Sequence, residues 1–182
     1  MNPGSRRTTL RIWLIATAVV VFTVDFITKW AAVAHLAPSW ENGLPYGRRV
    51  PVIPGCLDFL FAANTGGAFS IFHNMPWLIT AVSSLMIIGI AVWAWRIPYR
   101  FRVIEFAFGL IIGGALGNLV DRIRLHYVVD FIHAYVVIGG KEHFWPTFNV
   151  ADMAICTGIC LFLYLSIFTK ILEPITRVEE QT

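Results

Sequence analysis

Three of the five aspartates stand where an apolar chain has least reason to keep a carboxylate. Asp130 lies between Val129 and Phe131, with no lysine or arginine within five positions on either side. Asp152 opens the run "ADMAICTGICLFLYLSIF", three residues after Asn149, and Asp121 closes an apolar run with Arg122 beside it and Arg124 at i+3. Each has a structural reading. Asn149 and Asp152 have the spacing of an N-cap and an N3 acid, where the helix dipole favours negative charge. Asp121 reads as a helix terminus neutralised by its arginines. Asp130 has no such explanation, and a carboxyl in so apolar a setting tends to hold its proton. Two carboxyls that share a site cannot both ionise easily. Such a pair can split an amide: the ionised member takes a proton from water, while the protonated member polarises the carbonyl and then helps the amine leave. No Ser-His-Asp arrangement competes. His126, His133 and His143 lack H-E-x-x-H spacing, and Cys156 and Cys160 at i,i+4 read as small apolar packing groups rather than zinc ligands. No metal and no cofactor are expected.

The elements that must position these groups follow from composition. The chain of 182 residues is 57% hydrophobic and 14% charged. Soluble domains carry about 25% charged residues, so the class is all-α integral membrane protein in a single domain, residues 1–182. Four stretches have the length of a span, about 20 residues: 12–34, 75–95, 103–120 and 151–169. "SRRTTLR" and "AVA" superficially suggest an export signal and its cleavage site, but Asp25 and Lys29 interrupt the run between them, and a retained first helix is expected. Eight basic residues (Arg6, Arg7, Arg11, Arg96, Arg100, Arg102, Lys170, Arg177) fall on one side and five (Arg48, Arg49, Arg122, Arg124, Lys141) on the other. The short 2–3 turn weighs most in that comparison, so both termini are expected in the cytoplasm. The net charge of +3 is spread along the chain and does not argue for nucleic acid. With this orientation Asp121, Asp130 and Asp152 share one depth, the outer boundary. The outer segment "RRVPVIPGCLDFLFAANTGGAFSIF" reads as a small sheet or hairpin. "HYVVDFIHAYVVI" reads as a strand or an interfacial helix, and both should rest on the outer leaflet.

Other ionisable groups have simpler readings. Asp25 and Lys29 at i,i+4 form a favourable helix pair, a structural ion pair unless Lys29 reaches a lipid headgroup. Asp58 reads as turn chemistry or an exposed edge. A transporter using Asp25, Lys29 and Glu105 is the rival function. It calls for ionisable groups across the membrane depth and internal repeats, neither of which is visible. A scaffold without chemistry leaves Asp130 unexplained.

The motifs "VDFITKW" (24–30), "NTGGAFS" (64–70), "GGALGNLVDRI" (113–123), "VVDFI" (128–132) and "FNVADMAI" (148–155) together resemble, in order and over about residues 12–170, the lipoprotein signal peptidase (signal peptidase II) family. The resemblance implies a four-helix bacterial membrane aspartic peptidase of the cytoplasmic (inner) membrane, with its active site on the outer side. It implies Asp130 and Asp152 as the catalytic pair. It also implies that Asn64, Gly66, Gly114, Asn118, Asp121, Arg122 and Asn149 shape the pocket, bind substrate or orient that pair. The substrates implied are diacylglyceryl-modified prolipoproteins, cut just before the lipid-bearing cysteine. Membrane lipids would be the other partners, and the enzyme would act as a monomer. Two departures stand out: Gly67 where the family more often has Ala, and a longer 131–148 segment with a "GGKEH" insert, whose Gly139 and Gly140 suggest a hinge.

Overall fold

The computed structural model describes residues 3–38, 47–65, 76–96 and 102–168. Among these residues, four helices, α1 (Pro3–Leu36), α2 (Pro76–Arg96), α3 (Arg102–Leu125) and α4 (Val150–Phe168), carry a four-stranded antiparallel sheet at one end. Its strands β1 (Val50–Ile53), β2 (Leu57–Asn64), β3 (Val128–Ile138) and β4 (Lys141–Phe144) follow chain order. Among the described residues, three helical stretches are long and apolar enough to cross a membrane, Arg11–Leu36, Arg102–Leu125 and Val150–Phe168, with a shorter apolar helix at Thr80–Arg96.

The helices are apolar outside as well as inside. Leu85, Ile88, Ile159 and Ile167 are exposed, as expected where lipid rather than water is the solvent and the apolar face is not spent on a core. Packing therefore depends on close backbone approach. α3 is the central helix, and its glycines make room for its neighbours: a Cβ on Gly114 would stand 2.5 Å from the Ala151 carbonyl oxygen of α4, and one on Gly117 would collide with the Asp25 carboxylate of α1. Away from the sheet, Leu14, Ala94, Ile104 and Phe108 form one core. The Phe108, Phe162 and Trp93 rings meet there with centroids 5.2–5.4 Å apart, a spacing suited to edge-to-face contact.

A second core fastens the sheet to the bundle: Ala32 and Leu36 at the end of α1 pack on Val129 and Phe131 of β3. The apolar 128–138 segment is a strand, not an interfacial helix. Its β-branched residues pair with β2 on one side and β4 on the other. Gly139 and Gly140 have φ of 59° and 77°, which makes them the two corner residues of a tight hairpin rather than a hinge. α3 also differs from expectation. It runs past Val120 to Leu125 and ends at His126 (φ 65°), whose N–H bonds the Arg122 carbonyl, a left-handed cap without glycine. Asp121 and Arg122 thus lie within the helix.

Candidate active site

Side-chain alternation along β3 points Val128, Asp130 and Ile132 to one face. Across the ladder Asn64 of β2 is opposite Val128, and Ala62 is opposite Asp130. The register slips by one residue between Phe59 and Ala62, a bulge that re-aims everything after it. Without it Ala63, not Asn64, would face Val128. With it, the Asn64 amide reaches diagonally and donates to Asp130 Oδ2 at 2.8 Å. No sequence pattern signals this bulge, so Asn64 was identifiable only through the family motif.

The chain returns from the β3–β4 hairpin along β3, where Phe148 bridges Ile132 through reciprocal backbone bonds of 2.8 and 3.1 Å. That bridge sets Asn149 beside Asp130 at the start of α4. Asn149 is fully buried and has two duties. Its Oδ1 accepts the Asp152 N–H (2.9 Å), while Asp152 Oδ2 accepts the Asn149 N–H (3.2 Å), a reciprocal capping box. Its Nδ2 donates to Asp130 Oδ1 at 2.6 Å. Asp152 is therefore a helix cap whose carboxylate also reaches the site, where its Oδ1 accepts from Asn118 Nδ2 at 2.8 Å.

Electrostatically the two carboxylates differ in their surroundings. Asp130 is almost wholly buried, and loss of hydration pushes its pKa up to about 6, with the nearby Asp152 adding to the rise and the Asn64 and Asn149 amides opposing it. Asp152 is only part-buried. Arg122, part-buried on α3 with Nη1 near the Asn118 carbonyl (3.3 Å), lies within electrostatic reach of Asp152, Asp130 and Asp121. One desolvated carboxyl poised to hold a proton, beside a second held by amide donors and open on one side, is an arrangement that can activate water and polarise an amide carbonyl.

Beneath this pair sits a buried ionic knot. Lys29 Nζ contacts Asp25 Oδ2 (2.8 Å), Asp121 Oδ2 (3.0 Å) and Asn118 Oδ1 (2.8 Å), which matches its three donors. Lys29 is 3% exposed; its ammonium turns inward, so it does not reach a headgroup. Asp121 forms its ion pair with Lys29 from α1 rather than with Arg122 or Arg124, and it also accepts the Val129 N–H. Arg124 instead lies over the Phe26 ring. Asp25 Oδ1 accepts the Ala151 N–H (2.9 Å), so α1 supplies a cap to one of the unpaired N–H groups of α4. Asp58, expected at a turn or edge, is buried in β2 and paired with Arg49. Glu105 is buried in the first turn of α3, far along the helix from this cluster. Gly66 lies outside the described residues. Among those described, no group of three or more His, Cys, Asp or Glu is placed to hold a metal ion.

The sequence model of the family described as "Signal peptidase (SPase) II" matches residues 17–168. The chain belongs to the signal peptidase II family. It is 38% identical over 167 residues to a lipoprotein signal peptidase of Acinetobacter baumannii, covering 90% of this chain and 87% of that protein. A lipoprotein signal peptidase of Nitratidesulfovibrio vulgaris is 41% identical over 157 residues (81% and 85%). One from Symbiobacterium thermophilum is 35% identical over 152 residues (83% and 92%). Two bacterial membrane enzymes solved by the in meso method superpose with TM-scores of 0.68 and 0.69, at 25% and 27% identity. They cover 85% and 82% of this chain, and the alignments span 87% and 89% of theirs. Membership in signal peptidase II makes the chain a protease, and its apolar helices fit a membrane protein.

Proposed function

We propose that this chain removes the signal peptide from diacylglyceryl-modified prolipoproteins, cutting on the N-terminal side of the lipid-bearing cysteine, with Asp130 and Asp152 as the catalytic pair. The observation that carries the reading is Asn149, which bonds both carboxylates at once and binds them into one site. Asp152, the more open of the two, takes a proton from the attacking water as its oxygen bonds to the scissile carbonyl carbon. Asp130 gives its proton to the carbonyl oxygen, forming a neutral gem-diol. The proton on Asp152 then passes to the amide nitrogen, the C–N bond breaks, and Asp130 recovers a proton from the collapsing diol. The products are the free carboxyl of the signal peptide and the amine of the lipid-bearing cysteine.

In this reading Asn64, Asn118 and Asn149 orient the pair, Gly114 admits the close approach of α4, and Asp121 and Arg122 complete the electrostatic surroundings. Gly66 would belong to a substrate-contacting segment. The chain would form one domain of four spans in the bacterial inner membrane, as a monomer, with both termini cytoplasmic and the site at the outer interface. A scissile bond beside a membrane-anchored cysteine would lie at that depth. The test is cleavage of a lipobox peptide with and without diacylglyceryl on its cysteine, with products mapped by mass. The expected result is a single cut before the cysteine, only in the lipid-bearing peptide. Equal cleavage of the unlipidated peptide, or a cut elsewhere, would refute the substrate reading.

A further inference from the structure

Among the described residues, Asn118 holds the one side-chain amide that touches both the buried ionic knot and the Asp152 carboxylate. An amide has two chemically opposite ends, and only one orientation puts its N–H on the carboxylate. Rotated by half a turn, Asn118 would present a carbonyl oxygen to Asp152, with repulsion in place of a hydrogen bond. Its Oδ1 is held by two donors, Lys29 Nζ at 2.8 Å and Asn149 Nδ2 at 3.2 Å. The Asn149 contact is the weaker, because the same Nδ2 group lies 2.6 Å from Asp130 Oδ1 and 3.3 Å from the Val129 carbonyl. Lys29 has no lone pair and can only donate.

We propose that Lys29 is a positioning residue for the catalytic pair: its ammonium fixes the Asn118 amide so that Nδ2 is aimed at Asp152 Oδ1. Asp25 and Asp121 hold the ammonium in place, and the burial of all four groups keeps water from supplying a substitute donor. The ion pair thus has a directional role that charge neutralisation alone does not require. It rests on the reading of Asp152 as catalytic.

The test uses full-length enzyme in liposomes with the lipidated peptide as substrate. Asp25→Asn with Lys29→Met removes one charge of each sign, so the knot keeps its net charge, and Asp25→Asn retains a carbonyl oxygen for the Ala151 N–H. The proposal expects kcat to fall about 10- to 100-fold, the size of one hydrogen bond to a charged group, with KM little changed. The cycle with Asn118→Ala decides the route: in that background the double substitution should cost nothing further. Multiplying effects, or an unchanged kcat with only a lower melting temperature, would overturn the proposal. Asn118→Asp is the second variant. It keeps an acceptor for Lys29 and hence the fold, yet should lose turnover; retained turnover would equally overturn it. Asp152→Asn, run alongside, separates the two layers. Turnover in that variant would refute the catalytic pair itself, whereas its loss beside a fully active Lys29 variant would refute only the positioning role.

Discussion

The two faces of β3 carry two ionic clusters built by opposite rules. On one face Asp130 joins the part-buried Asn64, the buried Asn149 and, through the buried Asn118, the buried Lys29–Asp25–Asp121 knot. On the other, His133 and Tyr135 meet Arg49, Asp58 and Glu142. Arg49 pairs with Asp58 and Glu142, His133 Nε2 lies 3.0 Å from Glu142 Oε1, and Arg49 sits 4.9 Å above the Tyr135 ring. That cluster links all four strands and their flanks, but Arg49 is 45% exposed in its side chain and Glu142 34%. Water competes there for the Arg49 and Glu142 side chains, although Asp58 and His133 are buried. At the Lys29–Asp25–Asp121 knot water is excluded, so each partner is obligatory: the cost of losing one is the desolvation of what remains.

The comparison can be broken most forcefully at Lys29. Lys29→Met alone leaves Asp25 and Asp121 facing each other without a cation, and should destabilise the protein by about 3–5 kcal/mol, measured by thermal or denaturant unfolding in detergent. The loss should be almost independent of salt, since a buried group is poorly screened.

Asp130 comes next, with opposite sign. Its pKa of about 6 lies above the ordinary aspartate value of 3.8, so between those values the folded state binds more protons than the unfolded one. Stability from this group is therefore greatest at low pH and declines as pH rises through that window. Asp130→Asn removes the dependence. Relative to wild type, the variant should gain about 2 kcal/mol between pH 4 and pH 7, seen as a widening melting-temperature difference. A constant difference would mean that Asp130 is not held protonated by burial.

On the opposite face, Arg49→Gln leaves the buried Asp58 carboxylate with only the Tyr135 hydroxyl at 3.4 Å among its described side-chain partners. The cost should be about 1 kcal/mol, because the half-exposed guanidinium is screened in the native protein, and it should shrink in high salt. Glu142→Gln is the smallest change. The His133 and Arg49 contacts hold the Glu142 pKa below 4.5, so its contribution is present at neutral pH and is lost as pH falls through that lowered value. The melting difference between variant and wild type should be slight at pH 7 and close on acidification.

The same contrast explains what could be read from the sequence. Local patterns translated well. Asn149 and Asp152 at cap spacing do form a cap, the apolar runs are helices, and the isolation of Asp130 among apolar residues corresponds to its burial. Long-range partners did not. Asp121 has two arginines near it in sequence, yet pairs with Lys29, 92 positions away (121 − 29), because α1 and α3 pack closely where Gly117 admits the Asp25 carboxylate. Asp58 looked like a turn residue because nothing local shows that Arg49 folds over it. The bulge before Ala62, on which the aim of Asn64 depends, leaves no mark in composition.

The most direct measurement is turnover of a lipidated precursor peptide by Asp130→Asn and Asp152→Asn, each checked for folding by its melting temperature. Asn keeps the shape and hydrogen-bonding bulk of Asp but neither takes up nor releases the proton. The account predicts that both variants fold, bind substrate, and lose activity by about a thousandfold or more, since each proton transfer contributes roughly 10²–10⁴. Near-normal turnover in either folded variant would contradict it, leaving that aspartate as a cap or a packing group.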